Sequence, residues 1–295
     1  MSAQSHGRRM PVGAGQRGFT LVELVVTIVV GSVVVAFMAM FIVTPMLAYS
    51  AQTRRATLVD ETDSALRFMG RDIRSALPNS VRIATAGSVT ALEFLGTTDA
   101  ARYVDGGPLG NPALVLDFTT ADGAFATTVP FTQLSLPWSS TSAYLVIDHV
   151  GVTGANAYDM SNVITPSGTT ITVSAGASAN QNLVTLSPAF QFTQGSPGKR
   201  VYIVSGPVSY LCDTSAGTLT RYSGYTISSS QAASASALLA AGATASLVAG
   251  DVGACLFTYA TGTAQRNALV ELTLQLANSG ESVQLLYEVQ MVNSP

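Results

Sequence analysis

Glu23 is the residue whose placement most demands chemistry. It is the sole ionisable side chain between Leu21 and Val43, a run that is otherwise apolar, small or hydroxyl-bearing and holds no proline. A carboxylate inside an apolar span costs on the order of 2.5–3.5 kcal/mol at a bilayer centre and less near an end, so such a residue points to function. What it offers is ion pairing, because a carboxylate removed from water needs a cation beside it. Other patterns are thinner. GxSxG, HExxH and P-loop motifs are absent. The histidines are His6 and His149. A nucleophilic triad would have to use His149, which follows Asp148 at the end of a predicted strand, where adjacent side chains face opposite ways. Asp99, Asp105, Asp117 and Asp122 lack the spacing of an EF-hand calcium loop and read as turn residues. Trp138, between Pro137 and Ser139, reads as a core anchor in preference to an exposed binding aromatic. Gly13, Gly15 and Gly18 spell GxGxxG, but no strand precedes them, so a dinucleotide site is rejected. The expectation is a non-enzyme with no cofactor and no metal.

The element that must carry Glu23 is a helix. The 23 residues Leu21–Val43 rise roughly 35 Å as a helix, enough to cross a bilayer. A cut after Gly18 would make Phe19 the N-terminus and Glu23 the fifth residue. The new α-amino group and the carboxylate of a neighbouring subunit can then neutralise each other. Gly18 followed by Phe19-Thr20-Leu21-Val22-Glu23 closely resembles the prepilin peptidase motif of type IV pilins and type II secretion pseudopilins. The resemblance implies removal of the leader after Gly18 on the cytoplasmic side, methylation of Phe19, and docking into a growing filament through Glu23.

Composition agrees. Of the 295 residues only 11 % are charged and the net charge is −3, which argues against nucleic acid as a partner. Arg8, Arg9 and Arg17 precede the apolar run and hold the N-terminus in the cytoplasm. Arg8-Arg9 is followed by Met-Pro rather than an apolar pair, against twin-arginine export. The rival for the run is an ordinary signal peptide cut before Ala51, but the run exceeds an h-region of about 7–15 residues.

Past Val43 the helical pattern continues. Leu58, Ala65 or Leu66, Met69, Ile73 and Leu77 recur at three- and four-residue steps. Arg54, Arg55, Asp60, Glu61, Asp63, Arg67, Arg71, Asp72 and Arg74 mostly fill the other face and read as solvated. Pro45 should loosen the helix and Pro78 should end it at Leu77. Strands are predicted at 80–84, 91–95, 113–119, 144–148, 170–174, 183–186 and 200–204. Two hairpins follow, 208–213 with 218–222 and 268–277 with 282–292, the latter turning at Asn278-Ser279-Gly280-Glu281. Ser228–Gly250, rich in Ala and Ser, reads as either a short helix or a loose loop. The fold class is therefore α+β. A leader occupies 1–18, a spine helix 19–77 with its transmembrane part at about 21–43, and a periplasmic antiparallel β head 78–295.

Cys212 and Cys255 lack CxxC spacing. In an oxidising compartment they would most simply form one disulfide; two unpaired buried thiols are the alternative. Residues 69–82 look like the helix end of minor pilins of the mannose-sensitive haemagglutinin pilus system, and less closely of J-type minor pseudopilins. Pro207-Val208-Ser209-Tyr210, Arg221-Tyr222, Cys255–Tyr259 and Gln265–Val270 look similar to that family's C-terminal half, whereas about 97–182 match nothing recognisable. Pro45 stands further along than the proline common in major pilins, which favours a minor subunit. The resemblance implies as partners the prepilin peptidase, other minor and major pilins, the inner-membrane assembly platform and the membrane itself. It implies a single-pass inner-membrane protein that moves to a filament, at its tip or start. A tip adhesin, a secretion pseudopilin and a secreted enzyme processed at Ala51 are the competing readings.

Overall fold

The computed structural model describes residues 18–106, 114–178, 180–262 and 266–291, so residues 1–17, with His6, Arg8, Arg9, Gly13, Gly15 and Arg17, lie outside them. Helix α1 runs Leu21–Met38 and passes through a π turn, Ala39–Val43, into α2, Thr44–Arg74. The chain divides into two compact units within α2, one ending at Thr53 and the other beginning at Arg54.

The expected loosening at Pro45 takes the form of the π turn. Proline lacks an N–H, and its ring crowds the carbonyl one turn earlier, here that of Phe41. The helix absorbs the extra residue by a wider turn in which the Thr44 N–H reaches the Ala39 carbonyl.

In the second unit α2 buries Leu58, Thr62, Ala65, Leu66, Met69, Gly70 and Ile73. The predicted face is the buried one, but the helix stops at Arg74 instead of Leu77. Beyond Arg74 the backbone pairs with a strand: Leu77 N–H donates to the Leu95 carbonyl at 2.7 Å and Thr97 N–H to the Ser75 carbonyl at 2.8 Å. That pairing, with the restriction Pro78 places on Leu77, outcompetes a further helical turn.

Thirteen strands follow among the described residues: β1 (Arg82–Ala86), β2 (Val89–Tyr103), β3 (Asp122–Val129), β4 (Trp138–Ser140), β5 (Tyr144–Val146), β6 (Thr170–Ala175), β7 (Asn182–Phe190), β8 (Arg200–Asp213), β9 (Thr218–Ser223), β10 (Thr244–Ala249), β11 (Val252–Ala260), β12 (Ala268–Asn278) and β13 (Glu281–Met291). A short helix α3, Ala235–Ala240, precedes β10. The large sheet has the order β10-β9-β8-β2-β3-β7-β6-β4, with β1 on β2 and β5 on β8; the small sheet is β11-β12-β13. Every pairing of named strands is antiparallel. The α+β class is thus the observed one.

The main core lies between α2 and the strands. Leu66, Met69 and Ile73 meet Phe94 of β2, Tyr210 of β8, Leu219 of β9, and Val270, Leu272 and Leu274 of β12. A second core, under β3, β6 and β7, holds Tyr103, Phe125, Phe192 and Ile203, with Trp138 half-buried against it. The predicted strand at 113–119 is absent from residue 114 onward. Asp117 instead binds Thr119 and Thr120 in a turn. The segments read as 200–204 and 208–213 form one strand, β8, bent at Gly206, whose φ of +123° suits glycine. Ser228–Gly250 contains both α3 and β10.

Candidate functional site: the N-terminal processing and assembly helix

Thr20 opens α1. Its backbone is extended, at φ −82° and ψ 151°, and its hydroxyl oxygen accepts from the Glu23 N–H at 3.2 Å. This satisfies one of the amides that a helix start leaves unpaired. Threonine three residues before glutamate is the capping-box spacing, a signal legible in Thr20-Leu21-Val22-Glu23 that the sequence reading passed over. Glu23 therefore has two local reasons for its position. Its N–H is capped, and its carboxylate lies in the first turn, where the helix dipole is positive.

Gly18 and Phe19 precede the helix and are exposed, Phe19 by 71 %. The peptide bond between them thus lies in uncovered, non-helical backbone, the form a protease can draw into its cleft. A Cβ added at Gly18 meets nothing within 4 Å. Among the described residues, the chain's own packing leaves room for a side chain there.

From Leu21 to Tyr49 every residue is exposed, and the most apolar 18-residue stretch of the helix has a mean hydropathy of 2.8. Its hydroxyls are satisfied within the helix. Thr27 donates to the Glu23 and Leu24 carbonyls at 2.9 Å, and Ser32 donates to the Val29 carbonyl at 2.8 Å. Such back-bonding removes the cost of placing hydroxyls in hydrocarbon. The stretch is long and apolar enough to cross a membrane, and its one ionisable group is near the entry end.

Residues 13–39 match the prokaryotic N-terminal methylation motif. The match spans the Gly18–Phe19 junction, the Thr20 cap and Glu23, and ends at the first residue of the π turn. It gives the chain a prepilin signal of the type IV pilin or pseudopilin kind, which implies processing by a prepilin peptidase and assembly with other pilins in a membrane. It points to a structural subunit more than to an enzyme. With the one apolar helix, it fits a single-pass, membrane-anchored pilin. No curated protein and no solved structure matches the chain.

The remaining residues singled out by sequence resolve as follows. Cys212 of β8 and Cys255 of β11 are disulfide-bonded, with Cα atoms 6.6 Å apart, so the large and small sheets are cross-linked. Asp148, at φ +57°, turns the chain ahead of His149, whose Nδ1 accepts from the Ala157 N–H at 3.1 Å. Asp99 accepts from the Gln133 N–H, Asp122 from those of Ala124 and Asp117, and Asp105 pairs with Lys199 at 3.2 Å. Among the described residues no group of three or more His, Cys, Asp or Glu is placed to hold a metal ion.

Two clusters escaped the sequence reading. Asp72, taken for part of a solvated face, is half-buried and accepts from Arg221 Nε at 2.7 Å and Tyr210 Oη at 2.8 Å, which ties the helix end to β8 and β9. Burial and the Asp72 carboxylate both push the Tyr210 phenol up. Glu93, 1 % exposed, binds Arg82 at 2.6 Å and accepts from Ser209. The Arg82 guanidinium lies 3.6 Å over the Tyr158 ring and donates to the Ser228 and Ser229 carbonyls. Arg82 and Glu93 are directly opposite in the β1–β2 ladder. That register is a signal, but it appears only once the hairpin is drawn.

Proposed function

We propose that this chain is a minor pilin-like subunit whose helix α1 enters a type IV pilus filament. The observation that carries the reading is the methylation motif at residues 13–39 running directly into an uncovered apolar helix whose single acid, Glu23, lies in the first turn. In this reading the prepilin peptidase cuts after Gly18 and Phe19 is methylated. The subunit waits in the inner membrane with its β-rich part, from about residue 78, in the periplasm. On extraction the Glu23 carboxylate pairs with the N-terminal amine of a neighbouring subunit. Each charge lowers the cost of burying the other, so mispaired subunits are rejected. A large β-rich part of more than 200 residues suits the tip or the start of a filament more than its repeated shaft. The likeness of residues 69–82, Pro207–Tyr210 and Arg221-Tyr222 to minor pilins of the mannose-sensitive haemagglutinin system is the ground for naming that kind of pilus, with a secretion pseudopilus as the alternative.

N-terminal sequencing and mass measurement of the exported protein test the reading. A chain that starts at N-methylated Phe19 is the expected result; one that starts at Ala51 overturns it. Glu23→Ala should leave cleavage intact and abolish incorporation into filaments, scored by immunogold labelling of sheared pili.

A further inference from the structure

The large sheet ends on β10, and no described strand pairs with its outer edge. Free strand edges are normally blunted by charged residues, proline or a covering segment, because their unpaired amides and carbonyls invite another strand. Of the outer strands of the small sheet, β13 carries Glu281 and Glu288, and β11, itself uncharged, packs against β1, β2 and β8. By contrast β10 reads Thr-Ala-Ser-Leu-Val-Ala, with neither charge nor proline. Thr244–Leu247 are exposed, Leu247 by 65 %.

Beside this edge lies a cavity of about 550 Å³ lined by Asp60, Glu61 and Ser64 of α2 and by Leu247, Gly250 and Asp251. A second, of about 290 Å³, shares Glu61 and Asp251 and is also lined by Arg54. Asp60 and Glu61 are exposed and enter none of the ion pairs formed among the described residues. Asp251 accepts from the Asn278 amide. An unblunted edge and an acidic wall thus occur side by side, both within the second unit.

We propose that the free edge of β10 docks an extended, lysine- or arginine-bearing segment of another protein chain, added as a further strand, with its cationic side chains received by Asp60, Glu61 and Asp251. Strand addition supplies main-chain hydrogen bonds whatever the sequence, and the wall supplies the selection. A helix laid in the groove would leave the open amides of β10 unpaired, and an acidic segment would meet three carboxylates. The inference does not depend on pilus assembly, since the edge and the wall are both outside α1.

The probe is a short, end-capped, fluorescent peptide of alternating lysine and valine, titrated by anisotropy against the full chain in detergent micelles. Binding that weakens with salt is expected. Replacing alternate valines by proline, which keeps the charge but removes amide donors, should weaken it at least about tenfold. Asp60→Asn with Glu61→Gln should weaken it by a similar factor. Both positions are exposed, and an unchanged near-UV circular dichroism spectrum would show an intact fold. A glutamate–valine peptide should not bind. Equal binding of the proline peptide overturns strand addition, unaltered binding by the double variant overturns the acidic wall, and no binding of the lysine–valine peptide overturns both.

Discussion

His149 is 2 % exposed, and its Nε2 has no hydrogen-bond partner among the described residues. Burial pulls its pKa down to about 4 from an ordinary value near 6.5. Between those limits the unfolded chain binds a proton there and the folded chain does not, so stability falls as pH drops from about 6.5 towards 4. A shift of that size is worth about 3 kcal/mol over the window. Burial raises the neighbouring Asp148 carboxyl, which favours the protonated folded state and opposes the trend at the acid end. Urea unfolding at pH 7 and pH 5 should show the loss, and His149→Gln, which cannot titrate, should flatten it. Gly70 makes a second residue-scale case. A Cβ there would overlap Tyr287 Cε1, and that ring is held by Arg74, which donates to Tyr287 Oη at 2.9 Å. In an open helix Gly→Ala gains about 1 kcal/mol. Here crowding costs about 1–3 kcal/mol, so Gly70→Ala should lower the unfolding temperature. Combining it with Tyr287→Ala should remove the crowding part of that loss, which thermal melts of both variants can separate.

At the scale of elements, the β1–β2 hairpin is fastened by the Arg82–Glu93 pair more than by apolar contacts, since β1 has no fully buried residue. Removing one partner strands the other charge, which costs about 3–5 kcal/mol, so Arg82→Ala should be strongly destabilising in urea unfolding. Arg82→Met paired with Glu93→Leu should recover much of the loss. The elements legible from sequence are those whose pattern is local. In β12 and β13 alternation matches burial, and the turn needs Ser279 and Gly280 at positive φ, where the sequence offers Asn-Ser-Gly. The α2 face was legible for the same reason, and so was the Gly18–Glu23 stretch. What escaped is set by partners distant in sequence. Strand β11 opens with Gly253 and Ala254, weak strand formers, behind Val252, and is held by its pairing with β12. Strand β3 has one buried large apolar side chain, Phe125, with Val129 exposed, and is defined by its ladder with β7. The sequence reads 200–204 and 208–213 as separate strands, yet the region continues as one strand with register shifts opposite Gly96–Asp99.

At the scale of the whole second unit, two sheets must hold one register against α2, and the Cys212–Cys255 bond is the covalent tie between them. Cys212 is fully buried in the main core, so the tie lies inside the packing that Leu272, Phe94 and Met69 create. In the loop-closure model a bridge between residues 43 apart removes about 4 kcal/mol of unfolded-state entropy. That is comparable to the whole stability margin of a modest domain. Reduction, or Cys212→Ala with Cys255→Ala, should therefore lower the urea midpoint steeply while leaving the apolar α1 helix intact. Far-UV circular dichroism in micelles would then lose its strand signal before its helical one. If both signals fell together, the helix and the β-rich unit would be one cooperative system. The expected order, strands first, would show that α1 keeps its helix without the folded β-rich unit.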